Sequence, residues 1–146
     1  MARGRKIETE DVGNFTYDKP SDGFLSHRKW IEDKAYVVLE TDENDDKKLQ
    51  SQLDSFRKVY ASRVENDRQC KIWLSQHVFL PMREKLHIRK NASKKSWNED
   101  SYLSLIIFRL DGSIEYSYRL NNGQISRCAV ISVTADGEFI EAKTMY

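Results

Sequence analysis

Two Asp-Gly pairs, Asp111-Gly112 and Asp136-Gly137, constrain this chain more than any other feature. Each lies between runs rich in β-branched and aromatic residues: SYLSLIIFRL and SIEYSYRL flank the first, RCAVISVTA and EFIEAK the second. Glycine reaches positive φ at no steric cost and aspartate tolerates it, so Asp-Gly between two strand-forming runs turns the chain back on itself. Residues 103–142 therefore read as four antiparallel strands, a meander that makes up most of a sheet.

Side-chain faces select the register of the first hairpin. A two-residue loop sets Arg109 opposite Ile114 and Phe108 opposite Glu115. Taking Ser113 into the loop instead aligns Ile106, Phe108 and Leu110 with Tyr118, Tyr116 and Ile114, and sets Arg109 against Glu115 as an opposite-charge pair. A one-residue slip swaps every face, so the hydrophobic pattern outweighs the turn preference. In the second hairpin a two-residue loop places Val133 opposite Ile140 and Ile131 opposite Ala142. Tyr102, Phe108, Tyr116, Tyr118 and Phe139 are then available to pack against helices. Two tyrosines on one face fit the edge of a core or an interface equally well.

Upstream, residues 1–12 are polar and read as a flexible arm. Gly13–Tyr17 alternates as a first short strand, and Asp18–Gly23 is dense in turn formers. A weaker extended segment carries Phe24, His27 and Trp30. Ala35–Leu39 has the β-branched content and bounded length of a strand. The acidic run Glu40–Asp46 follows, in which Asp42 or Asn44 caps a helix whose first turn holds Asp45 and Asp46. Leu49, Leu53, Phe56, Tyr60 and Val64 recur every three or four residues, one buried stripe. Asn66-Asp67 offers the next cap, for a second helix with Cys70, Trp73, Leu74, His77 and Val78 inside, ending near Pro81. Ser96–Glu99 fits a capping box, with a short helix from Trp97 leading into the meander. These segments predict an α+β domain over 13–146. It combines a mainly antiparallel sheet of N-terminal strands and the C-terminal four-strand meander with two helices packed on one face.

Composition narrows the partners. With 24 lysines and arginines against 23 aspartates and glutamates, net charge near zero gives no global attraction to nucleic acid or anionic membrane. A chain of 146 residues is one domain by length, and it buries roughly two-thirds of its unfolded surface, enough for a core without staples. Its two cysteines, Cys70 and Cys128, have no metal-binding spacing, which points to a reducing, cytoplasmic setting. No apolar run reads as a signal peptide or a membrane span.

Candidate sites are few. His77 follows Cys70 by two helical turns, too far for one ion without other ligands, so no metal site is expected. No nucleophile elbow, HExxH, P-loop or dinucleotide fingerprint occurs, and the scattered glycines sit where turns are needed. No catalytic residue and no cofactor is therefore assigned. The basic segment Arg83, Lys85, Arg89, Lys90, Lys94 and Lys95, near His87 and Trp97, has the charge and stacking groups to hold a nucleic acid strand. A solvated loop of this kind is common, and the acidic run Glu40–Asp46 offsets it, so nucleic acid is the less favoured partner.

The series GNFTYD, WIEDKAYVVLETD, a two-helix middle, Trp97, LSLIIFRLDGSIEY and ADGEF resembles a bacterial domain-of-unknown-function family, number twenty-two sixty-two, over about residues 13–143. Where members carry Gly-His before the penultimate strand, this chain has Arg127-Cys128. The resemblance implies the α+β fold and no reaction, substrate or cofactor. Small domains of this sort among bacterial accessory proteins include neutralisers of toxins. The function expected first is accordingly a non-enzymatic, cytoplasmic protein-binding module, of which an immunity-type or inhibitory partner is one form. A nucleic-acid-binding accessory protein using residues 83–95 is the alternative, and an enzyme using His27 or His77 is the third.

Overall fold

The computed structural model describes residues 6–40, 46–80, 101–121 and 126–145. They form one eight-stranded sheet: β1 (Lys6–Thr9), β2 (Gly13–Asp18), β3 (Gly23–Lys29), β4 (Lys34–Leu39), β5 (Ser101–Phe108), β6 (Ile114–Asn121), β7 (Ser126–Val133) and β8 (Phe139–Met145). Strand order follows chain order, and every neighbouring pair is antiparallel except β4 and β5. That parallel pair aligns Tyr36 with Leu105 and Leu39 with Phe108. Parallel neighbours cannot be joined by a tight turn. The chain between them carries α1 (Asp46–Ala61) and α2 (Arg63–Leu74), which continues as a π-helical turn over Ser75–Phe79. This is the α+β architecture, with a mainly antiparallel sheet and two helices, that the sequence implies.

The helices cover one face. Leu49, Leu53, Phe56 and Val59 of α1, then Cys70 and Leu74 of α2, join one buried cluster with Phe15, Val37, Leu39, Ile106, Phe108, Tyr116, Tyr118 and Ile131 from the sheet. Phe56 is its hub. Its ring lies edge-on to Phe15 at 5.3 Å and to Phe108 at 6.0 Å, so one helix residue touches strands on both sides of the parallel junction. It also stacks on Tyr60 at 5.4 Å, while the Arg28 guanidinium sits 4.8 Å from its centroid and 4.7 Å from that of Phe15. Burial lowers the pKa of Arg28 from its usual value, and the aromatic faces hold the cation in place of water.

Several expectations need correction. Residues Lys6–Thr9, read as part of an arm, form an edge strand on β2 and bury Ile7. Val64 lies outside the buried stripe and is exposed, because α1 ends at Ala61 and α2 restarts at Arg63. Ser62, not Asn66, precedes the second helix, and its carbonyl accepts the Asn66 N–H at 2.8 Å. Gly23 is more than a turn glycine, since a Cβ there would meet the Leu39 carbonyl oxygen at 2.5 Å. The helix caps expected at Asp42 or Asn44, the break at Pro81 and the short helix from Trp97 lie outside the described residues.

Both hairpins form where expected but shift in register, and Leu110 and Ile140 leave the expected face. Phe108 pairs with Ile114 and Ile106 with Tyr116, two residues from the expected alignment. The turn spans Arg109–Ser113, closed by Arg109 N–H to Ser113 O at 2.9 Å, with Asp111 Oδ1 accepting the Ser113 N–H at 2.8 Å and Gly112 at φ +90°. Leu110 is left exposed at this turn. Ser104 forms a bulge between Leu103 and Leu105, its hydroxyl donating to the Ser117 carbonyl at 3.1 Å. In the second hairpin Ile131 does face Ala142, but Val133 faces Phe139, and the Ile140 side chain is exposed.

If Phe56 couples α1 to both halves of the sheet, Phe56→Ala should lower stability by about 3–5 kcal/mol. Urea unfolding followed by tryptophan fluorescence measures this; a loss under about 1 kcal/mol would show that the ring is dispensable.

Candidate functional site

Residues that alternate with the buried ones point to the opposite face, where no helix packs among the described residues. Cross-strand register sets Leu25, Val38 and Ile107 in one row, and His27, Tyr36, Leu105, Ser117 and Val130 in the next. Leu25, Tyr36, Val38, Leu105 and Ile107 thus form a contiguous apolar stripe over β3, β4 and β5. Tyr36 is 47% exposed at its centre, and the His27 ring stacks on it at 4.1 Å. Val38 is 4% exposed yet separate from the helix-side core cluster. The stripe floors a shallow depression of about 540 Å³, whose other walls include Glu40, Arg109, Ser117, Arg119 and Cys128. Lys29 and Lys34, paired across β3 and β4, are exposed beyond Tyr36.

One end of the stripe is fixed by a charge cluster. The Arg109 guanidinium donates from Nη1 to Glu40 Oε2 and from Nη2 to Glu115 Oε2, the latter at 2.7 Å. The Glu115 hydrogen bond foremost, with that to Glu40, raises the Arg109 pKa against the opposing effect of burial. The ion pair with Glu115 is the one the sequence implies, but it reaches diagonally from the turn, since Ile107 and not Arg109 stands directly opposite Glu115. Glu40, read in the sequence as part of a helix-capping run, is a second carboxylate on the same cation. Below it, the buried Gln52 amide donates from Nε2 to the carbonyls of Arg109 at 2.5 Å and Glu40 at 3.2 Å. A polar residue within an apolar helix stripe was the one available signal for this contact.

A second depression, about 520 Å³, lies where α1 and α2 meet the β7–β8 turn, with Cys70, Trp73, Tyr116 and Asp136 among its walls. Behind it, the Tyr118 hydroxyl donates to Asp67 Oδ1, and Lys71 Nζ lies 3.2 Å from the other carboxylate oxygen. Asp67, expected to cap a helix, instead anchors a buried phenol from within α2. Burial pushes the Cys70 thiol and the Tyr116 and Tyr118 phenols above their ordinary ranges. Buried among the helices, Cys70 is held as the protonated thiol.

The nucleic-acid candidates Arg83, Lys85, Arg89, Lys90, Lys94 and Lys95 lie outside the described residues. His27 and His77 are both exposed. Each stacks on an aromatic ring, His77 on Phe139 at 4.5 Å, and neither lines the depressions above. Among the described residues no three His, Cys, Asp or Glu side chains converge as a metal site, and no helix is long and apolar enough to cross a membrane. Of the aromatics in the meander, Phe108, Tyr116 and Tyr118 are buried under the helices, while Tyr102 is exposed. No family model, curated protein or solved structure matches the chain.

The raised thiol and phenol values set the sign of an alkaline transition. The folded chain keeps these protons when the unfolded chain has released them. Their contribution is complete below the ordinary values, about 8.5 for a thiol and about 10 for a phenol, and declines as pH rises past them. Urea midpoints should hold level from pH 7 to about 8 and then fall, less steeply in Tyr118→Phe. A midpoint unchanged to pH 11 would contradict the burial of these groups.

Proposed function

We propose that this protein is a binding module that acts by docking on another protein through the outward face of β3, β4 and β5. The supporting observation is the stripe of Leu25, Tyr36, Val38, Leu105 and Ile107, centred on the 47% exposed Tyr36. A contiguous apolar surface rimmed by polar groups is the usual form of an interaction site. A tyrosine at its centre supplies large contact area at low entropic loss. Arg119, Lys29 and Lys34 border the stripe, so the partner in this reading presents apolar side chains flanked by carboxylates. Such charges steer encounter and select the partner more than they add affinity.

Occlusion of a partner's surface requires no chemistry from this chain, which suits an inhibitor or immunity-type role. Two free cysteines, one buried and one half-buried, support a cytoplasmic setting. The resemblance to the bacterial family belongs to the same proposal, and it carries a fold without a reaction.

Affinity capture with the wild-type chain identifies the retained protein, and variants then test the face. Tyr36→Asp and Leu105→Asp should each weaken retention at least tenfold, on the order expected for a central interface residue. Lys47→Glu, exposed on α1, should leave retention unchanged. The bound partner should also slow alkylation of Cys128. Retention that survives both face variants, or an unchanged Cys128 rate, would rule out this surface.

A further inference from the structure

We propose that β8 is a dimerisation edge, pairing antiparallel with β8 of a second copy about a two-fold axis at Ala142. The strand runs Phe-Ile-Glu-Ala-Lys-Thr-Met over seven residues and bonds to β7 on one side. Among the described residues nothing pairs with its other side. The opposite edge of the sheet, β1, is four residues long, a length that limits strand addition. A longer edge with unpaired backbone donors and acceptors accepts another strand readily.

The sequence of β8 is complementary to itself in one register. Centring on Ala142 sets Glu141 of each copy directly opposite Lys143 of the other, within the regular stretch that follows the bulge at Ile140. Directly opposed residues share a face, so both charge pairs form on the side away from the helices. Among the described residues of the single chain these groups pair with each other, at 3.5 Å and both more than half exposed. Across β7 they face Val130 and Ser132, which offer no countercharge. Centring one residue earlier sets Glu141 on Glu141, and one later sets Lys143 on Lys143. Charge alone therefore selects one of three adjacent symmetric registers, and a small residue occupies the axis.

This pairing is isologous and closed, so it stops at two copies. An axis perpendicular to the sheet joins two eight-stranded sheets into one, with α1 and α2 of both copies on one side. Both outward faces then lie together on the other side. Such a dimer presents two docking stripes to one target, and that geometry favours bivalent engagement.

Sedimentation velocity on the full chain, over a concentration series, tests the proposal. The wild-type chain should sediment as a dimer that dissociates on dilution. Lys143→Glu and Glu141→Lys each turn two opposite-charge pairs into two like-charge pairs, so each should weaken the dimer on the order of ten- to hundredfold. Mixing the two variants in equal amounts should restore dimerisation, because one copy then offers only carboxylates at these positions and the other only ammonium groups. The double variant Glu141→Lys, Lys143→Glu should also recover the wild-type constant. A wild-type monomer at every concentration would overturn the proposal. So would a dimer that both single variants leave intact, or a mixture that stays monomeric.

Discussion

The parallel pairing of β4 with β5 is the contact on which the rest of the structure depends. All other neighbours in the sheet are antiparallel. Two antiparallel units, β1–β4 and β5–β8, would otherwise be separate small sheets, each poorly able to bury a face alone. Joining them side by side in parallel obliges the chain to leave the plane and return, and the helices it forms on that excursion supply the missing layer. One crossing thus decides both which face becomes core and which face is left outward.

The junction is held by groups of different kinds. Phe56 bridges it from the helix side through Phe15 and Phe108. At its end the Glu40 N–H bonds the Phe108 carbonyl at 2.9 Å, continuing the parallel ladder, while Gln52 donates to the Glu40 carbonyl and shares the Arg109 carbonyl with the Gly112 N–H. Arg109 then clamps Glu40 to Glu115 across the same end. The apolar contacts supply most of the free energy, because a net hydrogen bond contributes about 1 kcal/mol while a large buried aromatic contributes several. The polar contacts fix position. Losing a Gln52 hydrogen bond would cost about 1 kcal/mol, so misregistered junctions are penalised.

The sequence made the fold class legible, along with most faces of β5–β8, Leu110 and Ile140 excepted, and the Arg109–Glu115 ion pair. Periodicity of two tells which face a residue occupies, and it is blind to a shift of two. That is why Phe108 was expected opposite Tyr116 and stands opposite Ile114. Bulges at Ser104 and near Ile140 leave no mark in such a pattern. Polar residues were read by local preference: Asp67 as a helix cap, Glu40 as part of a capping run. Each in fact answers a group distant in the chain, the Tyr118 phenol and the Arg109 guanidinium. The outward stripe was the least legible feature. Leu25, Tyr36, Leu105 and Ile107 resemble core residues until the one-sided placement of the helices is known.

Native-state hydrogen exchange tests the central claim most directly, namely that a single parallel junction unites the sheet. Amides of Val37–Leu39 and Ile106–Phe108 should exchange slowest, with the free energy of global unfolding, and α1 should open together with them. Faster exchange at those six positions than in the β6–β7 ladder would contradict this. It would mean that the two halves open independently and that the junction follows the fold instead of holding it.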